Sequence, residues 1–372
     1  MPFLFCSSWC RILAMKKFRF QFDAIDFLRI VAMLLVLIQH FVGMLDAESF
    51  KAIEPVFILN GAPAWSGITI FFFISAYLNI IGFIKGKYPF TVKGILTFYK
   101  QRALKIAIPY YILVATTIII FYPTIFVDDL PTFFKLIFFV YNGQGAPRLG
   151  HTWFVSTIMQ FYLVCPLLAF GIYKIKDKVF LAKILFFSIM FTGFALKVFL
   201  LQSGVDWYKH IYTSIYGNID IFACGSLFFV INSEKRPESK LWLKIASIVL
   251  FLLVIVSNSL YVKTDEMGVR MFFPFIVMLS TAFMLYCFPK PVKKPYYCPS
   301  KLVTTTSYYI YLIHPFIGNA IIPHFQNIGV FAFIGVIVLL FVICFSISGA
   351  WLNLKWLFFF TIRKIKEAKA HE

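Results

Sequence analysis

Two residues of unusual type lie inside the first long apolar stretch of the chain, Arg29 and His40. Their spacing of eleven residues is three helical turns plus roughly 20°, so both side chains lie on one face of a helix, roughly 16 Å apart. An arginine inside a lipid-spanning helix costs at least roughly 2.5–3.5 kcal/mol, so it faces a protein interior or a water-filled cavity. The pair therefore predicts a polar path through a bilayer, lined by a permanent cation and a titratable imidazole.

Each of the two residues also has a structural interpretation. Arg29 stands close to a helix end, from which its long side chain could reach lipid headgroups and pair with Asp23 or Asp26. His40, which follows Gln39, could be a hydrogen-bonded histidine at the membrane interface. Their shared face favours a functional role for the pair, and an imidazole suits a general base because it exchanges a proton near neutral pH.

The elements that must position this pair are transmembrane helices. A mean hydropathy of +0.85 excludes a soluble globular protein, as does a charged fraction of only 14%. About ten apolar stretches are each long enough to cross a hydrocarbon core of roughly 30 Å. They cover residues 24–44, 66–84, 106–127, 152–173, 179–201, 211–231, 242–262, 271–289, 304–323 and 330–354. The sequence thus predicts an all-α, polytopic membrane protein, and residues 91–105 suit a surface helix that leads into the third span.

The net charge of +19 reflects membrane topology and not a nucleic-acid partner, because the basic residues alternate with the spans. Connections rich in lysine and arginine fall at 11–19, 85–105, 174–183, 235–244, 290–301 and 363–369, and the intervening loops are balanced or acidic. This pattern predicts ten spans in a cell (inner) membrane with both termini in the cytoplasm. We expect a cytoplasmic segment at 1–20, one membrane domain at 21–358 and a basic cytoplasmic tail at 359–372.

The seven cysteines do not predict disulfides or a zinc site. Four lie within predicted spans, and three fall on the reducing side of the membrane: Cys165, Cys224, Cys287 and Cys344, then Cys6, Cys10 and Cys298. The start of the chain lacks the pattern of a cleavable signal peptide. Met15 would make a plausible start, so residues 1–14 are expected to be a peripheral extension.

Six motifs together resemble the acyltransferase-3 family of integral-membrane O-acyltransferases, which modify extracytoplasmic glycans. They are Arg29 with His40 in the first span, and residues 67–77, 98–110, 151–154, 220–225 and 307–315, in the same order as in the family. The chain departs from the family at Ala76, where glycine is usual, and it has no acid at 156–160. It is therefore similar to the His-x-Trp branch, without the hydrolase-like domain that is fused to some members.

The resemblance implies transfer of an acyl group, most simply acetyl from acetyl-CoA, to a hydroxyl of a surface or exported glycan or its lipid-linked precursor. Donor binding is implied for Arg29, Ser75, Arg102 and Lys105. Catalysis is implied for His40, as general base or acyl carrier, together with Arg29, His314 and Asp220. The glycan is expected at His151 and Trp153, and no metal is implied.

Several of these residues have structural alternatives. Arg102 could be an ordinary topology charge, and Ser75 could be a small residue at a helix contact. His314 could satisfy a backbone carbonyl that Pro315 frees, while Trp153 could belong to the aromatic belt. Asp220 needs a partner, for which the candidates are Arg29, His40 and Lys197. A non-enzymatic exporter or flippase of glycan intermediates is the alternative function, although no pair of related halves typical of secondary transporters is visible.

Overall fold

The computed structural model describes residues 23–53, 64–234, 238–261, 267–288, 299–326 and 328–368, and their regular elements are all helical. The α-helices in chain order are α1 (Ala24–Val42), α2 (Ala47–Ile53), α3 (Ala64–Ile84), α4 (Val92–Arg102), α5 (Ile108–Phe121), α6 (Ile125–Asp128), α7 (Leu130–Ile137), α8 (Trp153–Lys174), α9 (Val179–Gln202), α10 (Ile219–Asn232), α11 (Leu241–Tyr261), α12 (Met267–Cys287), α13 (Pro299–Ile321) and α14 (Val330–Ala368). Predicted cytoplasmic residues 1–20 lie outside the described part of the chain.

Within the described residues, seven helical segments are long and apolar enough to cross a membrane. They are α1, α3, the continuous segment from α4 to α5, α8 with the turn before it, α9, α11 and the first part of α14. Two shorter apolar helices, α10 and the Phe272–Cys287 part of α12, and the threonine-containing α13 occupy the other predicted stretches. The polytopic, all-helical class is therefore confirmed, while the count of ten crossings and the cytoplasmic termini stay predictions.

The sixth predicted span is shorter than the sequence pattern indicated. Apolar residues run from 211 to 231, but α10 begins only at Ile219. The amide Nδ2 of Asn218 donates to the carbonyl oxygens of Tyr212, at 2.9 Å, and Ser214, at 2.8 Å, which folds the preceding segment into a compact turn. A Cβ on Gly217 would lie 1.8 Å from the Ile211 carbonyl oxygen, so this close approach requires glycine. A hydropathy profile does not report side-chain hydrogen bonds to the backbone, so it cannot predict this late start.

The predicted surface helix at 91–105 is present as α4, and its start follows from capping. The Thr91 side chain accepts a hydrogen bond from the backbone N–H of Gly94, at 3.2 Å, which satisfies one free donor of the first turn. A π-helical turn at Ala103–Ala107 joins α4 to α5 without a break. The helix ends at Phe121, short of the predicted residue 127, because Pro123 cannot continue the hydrogen-bonding pattern.

Helix α3 forms the centre of the protein. Its apolar stretch is 72% buried, whereas that of α9 is 11% buried and so presents its surface outward. Two glycines bring neighbours against it: a Cβ on Gly67 would lie 2.5 Å from the Ala32 carbonyl oxygen, and one on Gly225 would lie 2.4 Å from that of Phe73. Small residues of this kind let helix backbones approach closely inside a membrane, where packing drives association. α1 and α10 therefore flank α3 directly.

The helices pair in a consistent direction. Arg29 contacts Thr304 and His40 contacts His314, so α1 and α13 run parallel. In α3, Phe72 stacks on Phe154 and Ser75 bonds to Tyr162, so α3 and α8 are also parallel. The predicted order of crossings requires both relations. We call the end that carries Arg29 and Arg102 the basic end, and the end that carries His40 the histidine end.

Candidate functional site

Two histidines from distant parts of the sequence meet at the histidine end. Nδ1 of His40 in α1 lies 2.6 Å from Nε2 of His314 in α13, and the ring centroids are 4.9 Å apart at 21°. His314 is fully buried and also meets the edge of Phe41, whereas His40 is partly exposed. The buried ring therefore supports the more accessible ring from one side.

The orientation of His314 follows from the proline after it. Pro315 has no backbone N–H, so in a helix it leaves the carbonyl of Tyr311 without its usual donor. Nδ1 of His314 lies 2.7 Å from that carbonyl oxygen, which can only accept a hydrogen bond. The structural alternative predicted for His314 is therefore realised, and it places a proton on Nδ1 of this ring.

This bond sets the protonation of the neighbouring ring as well. With both rings neutral, a proton on Nδ1 of His314 leaves a lone pair on its Nε2, which accepts from Nδ1–H of His40. The remaining nitrogen of His40, Nε2, then carries a lone pair. Within the described part of the chain, this Nε2 has no hydrogen-bond partner. A carbonyl freed by a proline thus prepares His40 to accept a proton.

A third histidine, His151, completes the cluster. It lies in the 3-10 turn Pro147–Thr152 before α8, and it is buried. Its Nε2 lies 3.2 Å from the Leu312 carbonyl oxygen, its ring centroid is 5.7 Å from that of His314, and its own carbonyl accepts from the Tyr311 hydroxyl. His151 therefore fastens the start of α8 to the proline-containing turn of α13. The sequence did not predict that the three histidines meet.

Trp153 lies two residues further on and is packed inside the protein. It is only 5% exposed, and its ring centroid is 4.7 Å from that of Tyr212. Trp153 is therefore not placed like a belt residue at the membrane interface. The next residue, Phe154, also belongs to the core, and its ring centroid is 5.0 Å from that of Phe72. The Trp153 ring thus backs the aromatic surface that Tyr212 presents, and its role toward a glycan stays a prediction.

Arg29 occupies the same face of α1 as His40, as the spacing predicts. Its Nη2 donates to the Thr304 carbonyl oxygen at 3.2 Å, and the Thr304 hydroxyl donates to a carboxylate oxygen of Asp26 at 3.1 Å. Both Arg29 and His40 therefore contact α13. Asp26 is buried and accepts from the Thr304 hydroxyl, so Thr304 links the guanidinium to this carboxylate inside the protein and not among headgroups.

Arg102 lies at the basic end among aromatic rings. Its guanidinium carbon is 5.1 Å from the Phe98 ring centroid and 5.3 Å from that of Tyr162, and its Nη2 lies 3.5 Å from the Tyr88 hydroxyl. The Tyr162 hydroxyl is in turn 3.0 Å from Oγ of Ser75. Arg102 and Ser75, both implied in donor binding, thus belong to one connected cluster through Tyr162. No role for Tyr162 followed from the sequence.

The cluster is positively charged. Lys105 lies one turn beyond Arg102, and its ammonium group interacts electrostatically with both Arg102 and Lys87. Among the residues that the structure describes, none of these three cations forms an ion pair, and the buried Nε of Arg102 has no hydrogen-bond partner. Arg102 is partly buried, whereas Lys87 and Lys105 are exposed, and three neighbouring cations without counter-ions in the described part of the chain favour an anionic ligand.

Asp220 lies apart from the histidines and binds Lys197. The lysine Nζ is 2.8 Å and 2.9 Å from the two carboxylate oxygens, and the two side chains are 11% and 9% exposed. Of the three partners considered from the sequence, the structure selects Lys197. The prediction that Asp220 orients a catalytic histidine therefore finds no geometric support, because its carboxylate neutralises a buried cation.

We expect Asp220→Asn to destabilise the protein by about 3–5 kcal/mol, because a buried lysine would be left without its counter-ion. The double variant Lys197→Met/Asp220→Leu should be much closer to the original stability, since it removes both charges. Thermal unfolding in detergent measures both. A catalytic carboxylate would behave differently: the double variant would be folded and inactive, and that result would overturn the structural role.

Among the described residues, four cysteines are free and buried, Cys165, Cys224, Cys287 and Cys344. Cys6, Cys10, Cys298 and the expected extension at 1–14 lie outside the described residues.

The fold and the site define a polytopic membrane protein. Its apolar helices enclose polar side chains, with a histidine cluster near one end and a cationic cluster near the other. The family model described as "Acyltransferase domain" matches residues 22–352. The chain therefore belongs to the acyltransferase-3 family, and it is a membrane acyltransferase by family. No curated protein and no solved structure matches the chain.

Proposed function

We propose that the protein is an O-acetyltransferase of the cell (inner) membrane. It transfers the acetyl group of cytoplasmic acetyl-CoA to a hydroxyl of a surface or exported glycan, or of its lipid-linked precursor. The observation that carries the proposal is the hydrogen bond between His40 and His314, which leaves a basic nitrogen on the more accessible ring. The family assignment supports the reaction class, and it gives the exporter alternative no support.

The cationic cluster suits the donor. Coenzyme A carries its phosphates at one end of the molecule and its thioester at the other. Arg102, Lys105 and Lys87 offer charge-assisted hydrogen bonds to phosphate oxygens at the basic end. Arg29 lies at the basic end, roughly 16 Å from His40 along α1, so it suits the arm that connects the phosphates to the thioester.

The proposed reaction needs one base, which then acts as an acid. Nε2 of His40 takes the proton of the acceptor hydroxyl while the hydroxyl oxygen attacks the thioester carbonyl carbon. The new carbon–oxygen bond forms, the carbon–sulfur bond breaks, and the leaving thiolate takes the proton from Nε2. An alcohol and acetyl-CoA thus give an ester and free coenzyme A, and His40 returns to its starting form. His314 stabilises the transient imidazolium, because its Nε2 lone pair accepts from Nδ1–H of His40.

Purified full-length protein in lipid nanodiscs tests the proposal directly. Radiolabelled acetyl-CoA should raise the melting temperature, and label should pass to an ester of the cells' own surface glycan. The ester is identified by its release in mild alkali and by mass spectrometry of the glycan. Absence of acetyl transfer from a folded protein that also fails to respond to acetyl-CoA would overturn the proposal.

Arg102→Gln should raise the KM for acetyl-CoA by roughly 10- to 100-fold, because a charge-assisted hydrogen bond to phosphate contributes about 1.5–3 kcal/mol. The kcat should change much less, since the guanidinium lies far from the reacting atoms. Arg148→Gln is the matched control. This arginine also lies over an aromatic ring, 4.0 Å from the Phe121 centroid, but Phe121 is the last residue of α5 and is far from Arg102. Equal effects of the two substitutions on KM would contradict donor binding by Arg102.

A further inference from the structure

Helix α13 has one polar side that contacts several other elements. Thr304, Tyr308, Tyr311 and His314 recur at every third or fourth position, so they lie on the same side of the helix. Thr304 and His314 contact α1, and the Tyr311 hydroxyl donates to the carbonyl oxygen of His151 before α8. These three contacts belong to the site already described, whereas Tyr308 has no part in the proposed reaction.

Tyr308 binds the segment that carries the cationic cluster. Its hydroxyl donates to the carbonyl oxygen of Ile106 at 2.9 Å, although the two residues are 202 positions apart in the sequence. Ile106 lies in the π-helical turn Ala103–Ala107, which contains Lys105 and directly follows Arg102. The hydrogen bond therefore attaches the segment with these two cations to α13.

The π-helical turn makes this attachment informative. The backbone N–H of Ile108 bonds to the carbonyl of Ala103, five residues back, so this turn holds more residues than an α-helical turn. Turns of this kind are rare, and they occur frequently at functional sites. The wider turn changes the direction of the side chains before it relative to those that follow in α5. Tyr308 holds the turn at Ile106, and it thereby helps to fix where Arg102 and Lys105 point.

The same helix holds the histidine pair. His314 follows Tyr308 by six residues, which is roughly 9 Å along a helix axis. One short stretch of α13 thus joins the Ile106 carbonyl, beside the cationic cluster, to the ring that contacts His40. In the proposed reaction, the donor places its phosphates at the cations and its thioester at His40. The distance between these two places then depends on the contacts that α13 makes through Tyr308 and His314.

We propose that Tyr308 is a positioning residue for acetyl-CoA. It holds the phosphate-binding cations at the distance from His40 that the pantetheine arm of the donor spans. Tyr308 acts through the Ile106 carbonyl and needs no contact with the reacting atoms. This inference rests on the proposed acetyltransferase function, and it adds the residue that couples the donor site to the base.

Tyr308→Phe tests the proposal, because it keeps the ring and removes the hydroxyl that binds Ile106. In the full chain in nanodiscs, calorimetric titration should show unchanged affinity and stoichiometry for coenzyme A, since the three cations are retained. The kcat with acetyl-CoA should fall by roughly tenfold or more, because a misplacement of about 1 Å at the reacting atoms can cost about 100-fold. The short thioester S-acetyl-N-acetylcysteamine has no phosphates to be positioned, so acetyl transfer from it should keep its rate.

Tyr111→Phe is the matched control. The Tyr111 hydroxyl also donates to a backbone carbonyl, that of Ile137 at 2.6 Å, but this bond attaches α5 to α7 and not to α13. Its kcat should equal that of the unmodified protein with both donors.

An unchanged kcat of Tyr308→Phe with acetyl-CoA would overturn the positioning role. Equal losses with both donors, or a loss in proportion to the number of sites that bind coenzyme A, would also overturn it and would make Tyr308 a packing residue. Failure of the unmodified protein to transfer acetyl groups from either donor would instead overturn the acetyltransferase proposal.

Discussion

His40→Ala is expected to lower kcat for acetyl transfer by about 10²–10⁴-fold, the usual contribution of a positioned general base. The substitution removes the only ring nitrogen in the pair whose lone pair is left free by the hydrogen bonds. The KM for acetyl-CoA should stay close to its original value, because the proposed phosphate site lies at the other end of the protein. Steady-state transfer of labelled acetyl groups measures both constants.

His324→Ala is the matched control for this experiment, since His324 is an exposed histidine just after α13. Its kcat should be unchanged. Membrane insertion and melting temperature should be similar for both variants, which separates a catalytic loss from misfolding. Full acetylation of the glycan by an inserted His40→Ala protein would show that His40 is not the general base.

Two substitutions of His314 should separate its structural and positioning roles. Asparagine can place an N–H where Nδ1 stands, so His314→Asn keeps the donor to the Tyr311 carbonyl but loses the acceptor for His40. Glutamine can place an amide oxygen near Nε2, so His314→Gln keeps that acceptor. We expect kcat to fall by roughly 10²-fold or more in His314→Asn and clearly less in His314→Gln.

The stability of these variants should follow the opposite order. His314→Asn should melt close to the unmodified protein, because the carbonyl freed by Pro315 keeps its donor. His314→Gln should melt lower. If both variants instead lost activity in proportion to stability, His314 would be a packing residue, and the positioning of His40 would need another explanation.

The sequence predicted the class of the protein because hydropathy and charge report directly on the membrane environment. Long apolar stretches and alternating basic connections require no knowledge of tertiary contacts. There are two exceptions: α10 starts late because the Asn218 side chain binds backbone carbonyls, and α13 is less apolar because it carries polar residues such as Thr304, which contacts α1. Local hydrogen bonding, which hydropathy does not report, decides both.

The site was predictable in part. Helical spacing correctly placed Arg29 and His40 on one face, because both residues lie in α1 and their relative direction follows from the periodicity of that helix. His40 and His314 are 274 residues apart in the sequence and lie in different helices. Periodicity within one helix carries no information on such a contact. For Asp220, chemical type suggested catalysis, whereas the structure shows its carboxylate paired with Lys197, a contact that the sequence offered only as one of three candidates.

The pairing of the first helix with α13 also has a consequence for biosynthesis. During translation, α1 leaves the ribosome long before the segment that carries His314, and most of the membrane body is made between them. A nascent or prematurely terminated chain therefore lacks the second imidazole, even when its early helices are already in the bilayer. In the proposed mechanism, the base at His40 is therefore positioned only after α13 has been inserted.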